Sequence, residues 1–172
     1  MKTIIKTTII LISVFALSEN AKAQSKASDL SQTIEVNASA DEVWQHIRKL
    51  DNIDVVSSFV ATVDWKGPKG VGGERKCTAP DGKGYYVEQI QMFNDNQRTY
   101  QWEVVEGIPA KNVYNSFKVV DLGYQKSMII FRSNYEYVEN PNMTPEQLKA
   151  FISQATSEIV GNYAKLATKM MK

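Results

Sequence analysis

The run TPEQLKAFISQATSEIVGNYAKLATKMM, Thr144 to Met171, reads as one long α-helix. Its apolar residues fall at Leu148, Phe151, Ile152, Ala155, Ile159, Tyr163, Leu166 and Met170, in steps of three and four that line one helix face. Thr144 and Gln147 have the spacing of a capping box, and Pro145 stands at the first helical position, where its missing N–H is harmless. At 1.5 Å per residue such a helix is about 39 Å long. A stripe of that length needs a broad apolar surface to cover it. The remainder of the chain has the patterning of a sheet.

The first 23 residues stand apart. Lys2 and Lys6 make a positive start, Thr7 to Leu17 is uncharged and mostly apolar, and Ala21-Lys22-Ala23 fits the small-x-small cleavage rule. This is the pattern of a secretory signal peptide and is short for a membrane span, so export to the periplasm or medium is expected. No cysteine stands at the end of the apolar run, so a lipoprotein anchor is not indicated, and no stable membrane anchor is expected after cleavage. Three of the chain's 20 basic and one of its 19 acidic residues lie in this segment, leaving 17 and 18, a net charge of −1. A near-neutral surface argues against nucleic acid, which demands concentrated positive charge. Cys77 is the one cysteine and His46 the one histidine, so an intrachain disulfide is excluded and the usual zinc patterns are missing. No cofactor or metal is expected.

Gln24 to Gln32 reads as a flexible leader, followed by a single domain from Thr33 to Lys172. Thr33 to Asn37 alternates like a strand, and Ser39-Ala-Asp-Glu42 is a second capping box, opening a helix with Val43, Trp44, Ile47 and Leu50 inward. Asp51-Asn52 breaks it, and Ile53 to Ser58 suits a short second helix. The sequons at Asn37 and Asn142 coincide with helix caps, which account for their Ser39 and Thr144. Beyond Phe59 the period becomes two, with turns about every ten residues, as in an antiparallel meander. The expected strands are Phe59–Trp65, Gly73–Thr78, Tyr85–Phe93, Arg98–Glu106, Asn112–Asp121 and Lys126–Val138, which with the first gives roughly seven.

Alternation assigns faces. Tyr100, Trp102 and Val104 share one side, as do Val113, Asn115, Phe117 and Val119, and Tyr86, Glu88, Ile90 and Met92 form a set with Glu88 its odd member. In the last strand Met128, Ile130, Arg132 and Asn134 oppose Ser127, Ile129, Phe131 and Ser133, and the pattern is ambiguous.

Strand, capped helix pair, meander and long final helix is the order of the α+β helix-grip fold, a curved antiparallel sheet wrapped around its last helix. The residues resemble the START-like (SRPBCC) superfamily, which includes the birch-pollen-allergen fold and the polyketide cyclase/dehydrase and lipid-transport group. Ser39-Ala-Asp-Glu-Val-Trp44, Tyr86-Val-Glu88-Gln-Ile90 with Asn94-Asp-Asn96, Glu106-Gly-Ile-Pro-Ala-Lys-Asn112 and Asn162-Tyr-Ala-Lys-Leu166 carry the resemblance. It implies an internal cavity faced by Glu88, Trp102, Asn115, Arg132 and Asn162. It also implies that Ala79-Pro-Asp-Gly-Lys83 acts as a gate met by Gly107 to Lys111, although the wording of the loop departs from that of the hormone receptors.

Glu88 and Arg132, if both inward, would pair, since an unpaired buried charge is costly. They would then hold a ligand's carboxylate or carbonyl, or else form a rim salt bridge. Tyr100, Trp102, Phe117, Phe151 and Ile159 suit either cavity wall or solid core. No serine or cysteine is tied to His46 by a recognisable motif, and Cys77 reads as a packed residue. Gly67 to Gly73 lacks the Lys-Ser/Thr of a phosphate loop. Three functions stay open: an exported protein binding a small hydrophobic molecule, lipid or polyketide-like; a cyclase or dehydratase using Glu88 for acid–base chemistry; and an interaction domain with a filled core.

Overall fold

The computed structural model describes residues 30–169. The expected signal peptide 1–23, residues 24–29 of the expected leader and the end of the final helix stripe at Met170 lie outside them. The elements are β1 (Leu30–Val36), α1 (Ala40–Ile47), α2 (Ile53–Val56), β2 (Thr62–Lys66), β3 (Glu74–Thr78), β4 (Tyr85–Asn94), β5 (Thr99–Glu106), β6 (Ala110–Gly123), β7 (Lys126–Tyr137) and α3 (Pro145–Lys169). The seven strands form one antiparallel sheet in the order β1-β7-β6-β5-β4-β3-β2. Since β1 and β2 lie on opposite edges, the chain between them must cross the sheet, and it does so as α1 and α2. The curved sheet grips α3, which packs on β1, β7, α1 and α2. This is the helix-grip architecture.

Both capping boxes form. Ser39 Oγ accepts from Glu42 N while Ser39 N donates to Glu42 Oε2 at 2.8 Å; Thr144 Oγ1 accepts from Gln147 N at 3.2 Å while Thr144 N donates to Gln147 Oε1 at 2.8 Å. Each satisfies two N–H groups that a helix start otherwise leaves open.

Boundaries shift in three informative places. β1 begins at Leu30, so Leu30 to Gln32 belong to the sheet and not to a leader, paired with Phe131 to Ser133 of β7. β2 starts at Thr62, which frees Phe59 from the sheet. Helix α1 ends at Ile47, and Leu50 lies beyond it with φ +66° and its side chain buried. A left-handed leucine is costly, by about 1–2 kcal/mol, and its carbonyl has a specific use described below.

β4 carries a bulge at Gln91, between the pairs Ile90–Trp102 and Met92–Gln101. The extra residue reverses parity, so Phe93 pairs with Tyr100 and joins Trp44 in a stack at 5.8 Å, while Met92 leaves the inward set. Gly107 (φ +97°) is held where a Cβ would come 2.1 Å from the Tyr85 carbonyl, so only glycine fits.

Candidate functional site

Helix α3 is not uniformly buried. Its C-terminal half packs solidly: Val160, Tyr163, Ala164 and Ala167 are buried. In its N-terminal half Leu148 and Thr156 are buried, but Phe151, Ile152, Ala155 and Ile159 keep partial exposure, Phe151 at 36%. These four belong to the predicted stripe, and they face a cavity between helix and sheet. The cavity has a volume of about 100 Å³.

The walls are apolar. Trp102, Val104, Val113, Phe117 and Phe131 come from the sheet, Ile53 from α2, and Ile108 from the β5–β6 loop. Trp102 stacks on Phe117 at 5.5 Å, and Phe117 meets Phe131 and Tyr163 edge-on at 5.3 and 5.7 Å. At the rim Phe59 and Phe151 make an edge contact at 5.2 Å, joining the α2–β2 connection to α3. Nearby, Glu158 accepts from the Ser58 amide at 2.7 Å and hydroxyl at 2.9 Å.

Two charges, Arg75 and Glu88, are set into this apolar wall. They are cross-strand partners on β3 and β4, with only 1% and 5% of each residue exposed. Arg75 Nε donates to Glu88 Oε2, and Arg75 Nη1 donates to the Leu50 carbonyl. The left-handed turn at Leu50 aims that carbonyl at the guanidinium. Glu88 Oε1 accepts from Trp102 Nε1 at 2.6 Å, and the guanidinium lies 5.2 Å from the Trp102 ring. Burial pulls the guanidinium pKa down, but Glu88, Tyr100, Cys77 and Tyr163 raise it, so that it ends well above the usual arginine range.

The same surroundings suppress ionisation nearby. Burial, reinforced by Glu88, pushes the Cys77 thiol up to about 12, which makes it a packed and unreactive side chain. Burial pushes Tyr100 to about 12, and Tyr86 and Tyr163 well above the usual phenol range.

Asn115 and Ser133 add polar groups from the β6–β7 pair, where they stand directly opposite one another, and Ser57 and Thr156 also line the cavity with hydroxyls bonded to Phe59 N and the Ile152 carbonyl. Asn115 and Ser133 are both buried, and the Ser133 hydroxyl has no hydrogen-bond partner among the described residues. Among the described residues, no group of three or more His, Cys, Asp or Glu side chains is placed to hold a metal ion.

Of the predicted site residues, Glu88, Trp102, Asn115, Phe117, Phe151 and Ile159 are brought together on the cavity wall. Three are placed elsewhere. Arg132 is exposed on the outer face, because Ser127, Ile129, Phe131 and Ser133 are the inward set of β7; its expected pairing with Glu88 is replaced by Arg75. Tyr100 is fully buried in the core beside Trp102, with ring centroids 4.9 Å apart. Asn162 points past the cavity and donates to the Val56 carbonyl at 2.9 Å, tying α3 to α2. No residue of Ala79 to Lys83 lines the cavity.

Sequence reasoning missed Arg75 and Ser133. Within Glu74–Thr78 the apolar Cys77 shares parity with Arg75 against Glu74, Lys76 and Thr78, and that alternation marks Arg75 as inward. Ser133 shares parity with the aromatic Phe131.

A curved seven-stranded sheet clasping a terminal helix over a lined cavity defines the START-like class. Within it, the sequence profile described as "Polyketide cyclase / dehydrase and lipid transport" matches residues 28–170, and the chain belongs to that family. No curated protein matches the sequence. Several solved structures share the fold. The Zhui aromatase/cyclase from a Streptomyces species is 13% identical with a TM-score of 0.73, covering 83% of this chain and 94% of its own. The protein XoxI from Bacillus cereus is 17% identical with a TM-score of 0.70, covering 83% and 97%. A point mutant of norcoclaurine synthase from Thalictrum flavum, bound to a transition-state analogue, is 18% identical with a TM-score of 0.66, covering 83% and 95%.

Proposed function

We propose that this domain binds a small, mainly hydrophobic molecule, lipid or polyketide-like, in the cavity beneath the N-terminal half of α3. One observation carries the reading: Phe151, Ile152, Ala155 and Ile159 face open space while the next turns of the same helix are packed solid. Apolar side chains facing a cavity gain free energy when a ligand takes their surface from water. A filled-core interaction domain has no use for such a gap. Norcoclaurine synthase, of the same fold, has been solved with dopamine and hydroxybenzaldehyde, so small aromatic molecules are within reach of this architecture.

The cyclase or dehydratase reading rests on Glu88 as an acid–base group. Both its oxygens are engaged, one by Arg75 and one by Trp102, which leaves it poorly placed to exchange protons with a substrate. Binding is therefore the better-supported function. Export through a cleaved Met1–Ala23 segment is part of the proposal and follows from its sequence pattern.

Native mass spectrometry of protein purified from its own host tests both parts. The expected spectrum shows a chain beginning at Gln24 with an organic adduct that dissociates on activation. A bare chain after purification and after incubation with a lipid extract would overturn the binding reading, and an intact Met1 start would overturn export.

A further inference from the structure

The charge balance of the cavity narrows its ligand. Among the described residues lining it, Arg75 and Glu88 are the only charged ones, and they neutralise each other. Glu88 Oε2 is taken by Arg75, Oε1 by Trp102, and Arg75 also serves the Leu50 carbonyl. A carboxylate or sulfonate entering this space would be a second buried anion beside a cation already claimed. An ammonium group would meet the converse problem. Either would shed its hydration without gaining a free counter-charge.

Asn115 and Ser133 supply the complementary feature. They are cross-strand neighbours, buried, and set in the wall. Among the described residues, the Ser133 hydroxyl has no partner and the Asn115 carboxamide makes no hydrogen bond. Together they offer both donors and acceptors to an uncharged polar group. We infer that the cavity selects an electrically neutral molecule, apolar in its body, whose hydroxyl, carbonyl or N–H end meets Asn115 and Ser133. This rests on the binding function proposed above and replaces the carboxylate anchor that an Arg132–Glu88 site would have implied.

The test uses two fluorescent probes with one skeleton: N-phenylnaphthylamine, which is neutral, and anilinonaphthalene sulfonate, which carries the added anion. Wild-type protein is titrated with each at fixed ionic strength. The neutral probe binds at least about tenfold more tightly, and Asn115→Leu weakens it about fivefold, the equivalent of one hydrogen bond. Glu88→Gln leaves the Arg75 charge uncompensated, so it shifts the preference toward the sulfonate. Equal or tighter wild-type binding of the sulfonate overturns the inference, and so does an unchanged preference in folded Glu88→Gln. If that variant does not fold, the wild-type comparison decides alone. Failure to bind either probe overturns the binding function itself.

Discussion

Arg75 on β3 stands directly opposite Glu88 on β4, and their ion pair keeps only 1% and 7% of its side-chain surface exposed. Such a pair is no sign of extra stability, because desolvating two charges offsets most of their attraction. Breaking it is another matter. Arg75→Met and Glu88→Leu are each expected to cost about 3–5 kcal/mol, since each strands its partner's charge in the core. The double variant should recover most of that loss. Urea unfolding of all four proteins measures the coupling, and simple additivity of the single losses would contradict the burial of the pair.

The buried acids around that pair set the alkaline limit of the fold. Cys77 moves from 9.0 to about 12, Tyr100 from 10.0 to about 12, and Tyr86 and Tyr163 also move upward, all chiefly through burial. In every case the folded state binds the proton more tightly than the unfolded chain. The stability this represents is complete below the ordinary pKa values and is lost as pH rises toward 12. Unfolding free energy should therefore fall steadily above pH 9.0, beginning with Cys77. Tyrosinate absorbance should lag behind that of the free amino acid until the chain unfolds. Full early ionisation of the tyrosines in folded protein would refute the assignment.

The helices and their caps were legible because capping boxes and apolar spacing are local properties: Ser39–Glu42 and Thr144–Gln147 form as their spacing requires. The meander was legible for the same reason. What alternation alone could not reveal was the face of a strand that has no clear apolar side. In β7 both parities contain isoleucine, so alternation leaves the face open; the family resemblance implies an inward Arg132, whereas the set of Ile129 and Phe131 is the buried one. A bulge at Gln91 likewise exchanged Met92 for Phe93, an event with no local signature in the sequence. The site itself was half legible. Glu88 stood out as a carboxylate on an apolar face, while its partner lies on another strand, where its inward direction rests on a single cysteine.

The structure places Asn162 and Arg132 away from the cavity. Asn162→Ala removes its bond to the Val56 carbonyl and is expected to cost about 1 kcal/mol. Arg132→Ala, on the outer face, should change stability by less than about 0.5 kcal/mol. Neither should alter the dissociation constant for N-phenylnaphthylamine. A weakening of several-fold by either variant, with thermal unfolding otherwise as expected, would return that residue to the binding site.

Ala155 gives the most direct control over the cavity. It sits on α3 between Ile152 and Ile159, lines the open space, and is half-buried with no hydrogen-bonding duty of its side chain. A phenyl ring there would extend toward Trp102, Phe117 and Phe131 and occupy the volume a ligand needs. In a solid core such an enlargement forces neighbours off their rotamers and costs about 1–3 kcal/mol. Over a cavity it fills space that is already available, so Ala155→Phe should unfold at the wild-type midpoint or above it. Probe binding should nevertheless fall at least about tenfold, the loss expected when an added ring excludes a ligand from a preformed pocket. Ala164 is the matched control: it lies on the packed half of the same helix, so Ala164→Phe should show the overpacking penalty and leave the probe affinity of the folded fraction unchanged. Equal destabilisation of the two variants would mean that α3 is packed alike along its length, and the cavity would lose its standing as the working part of the domain.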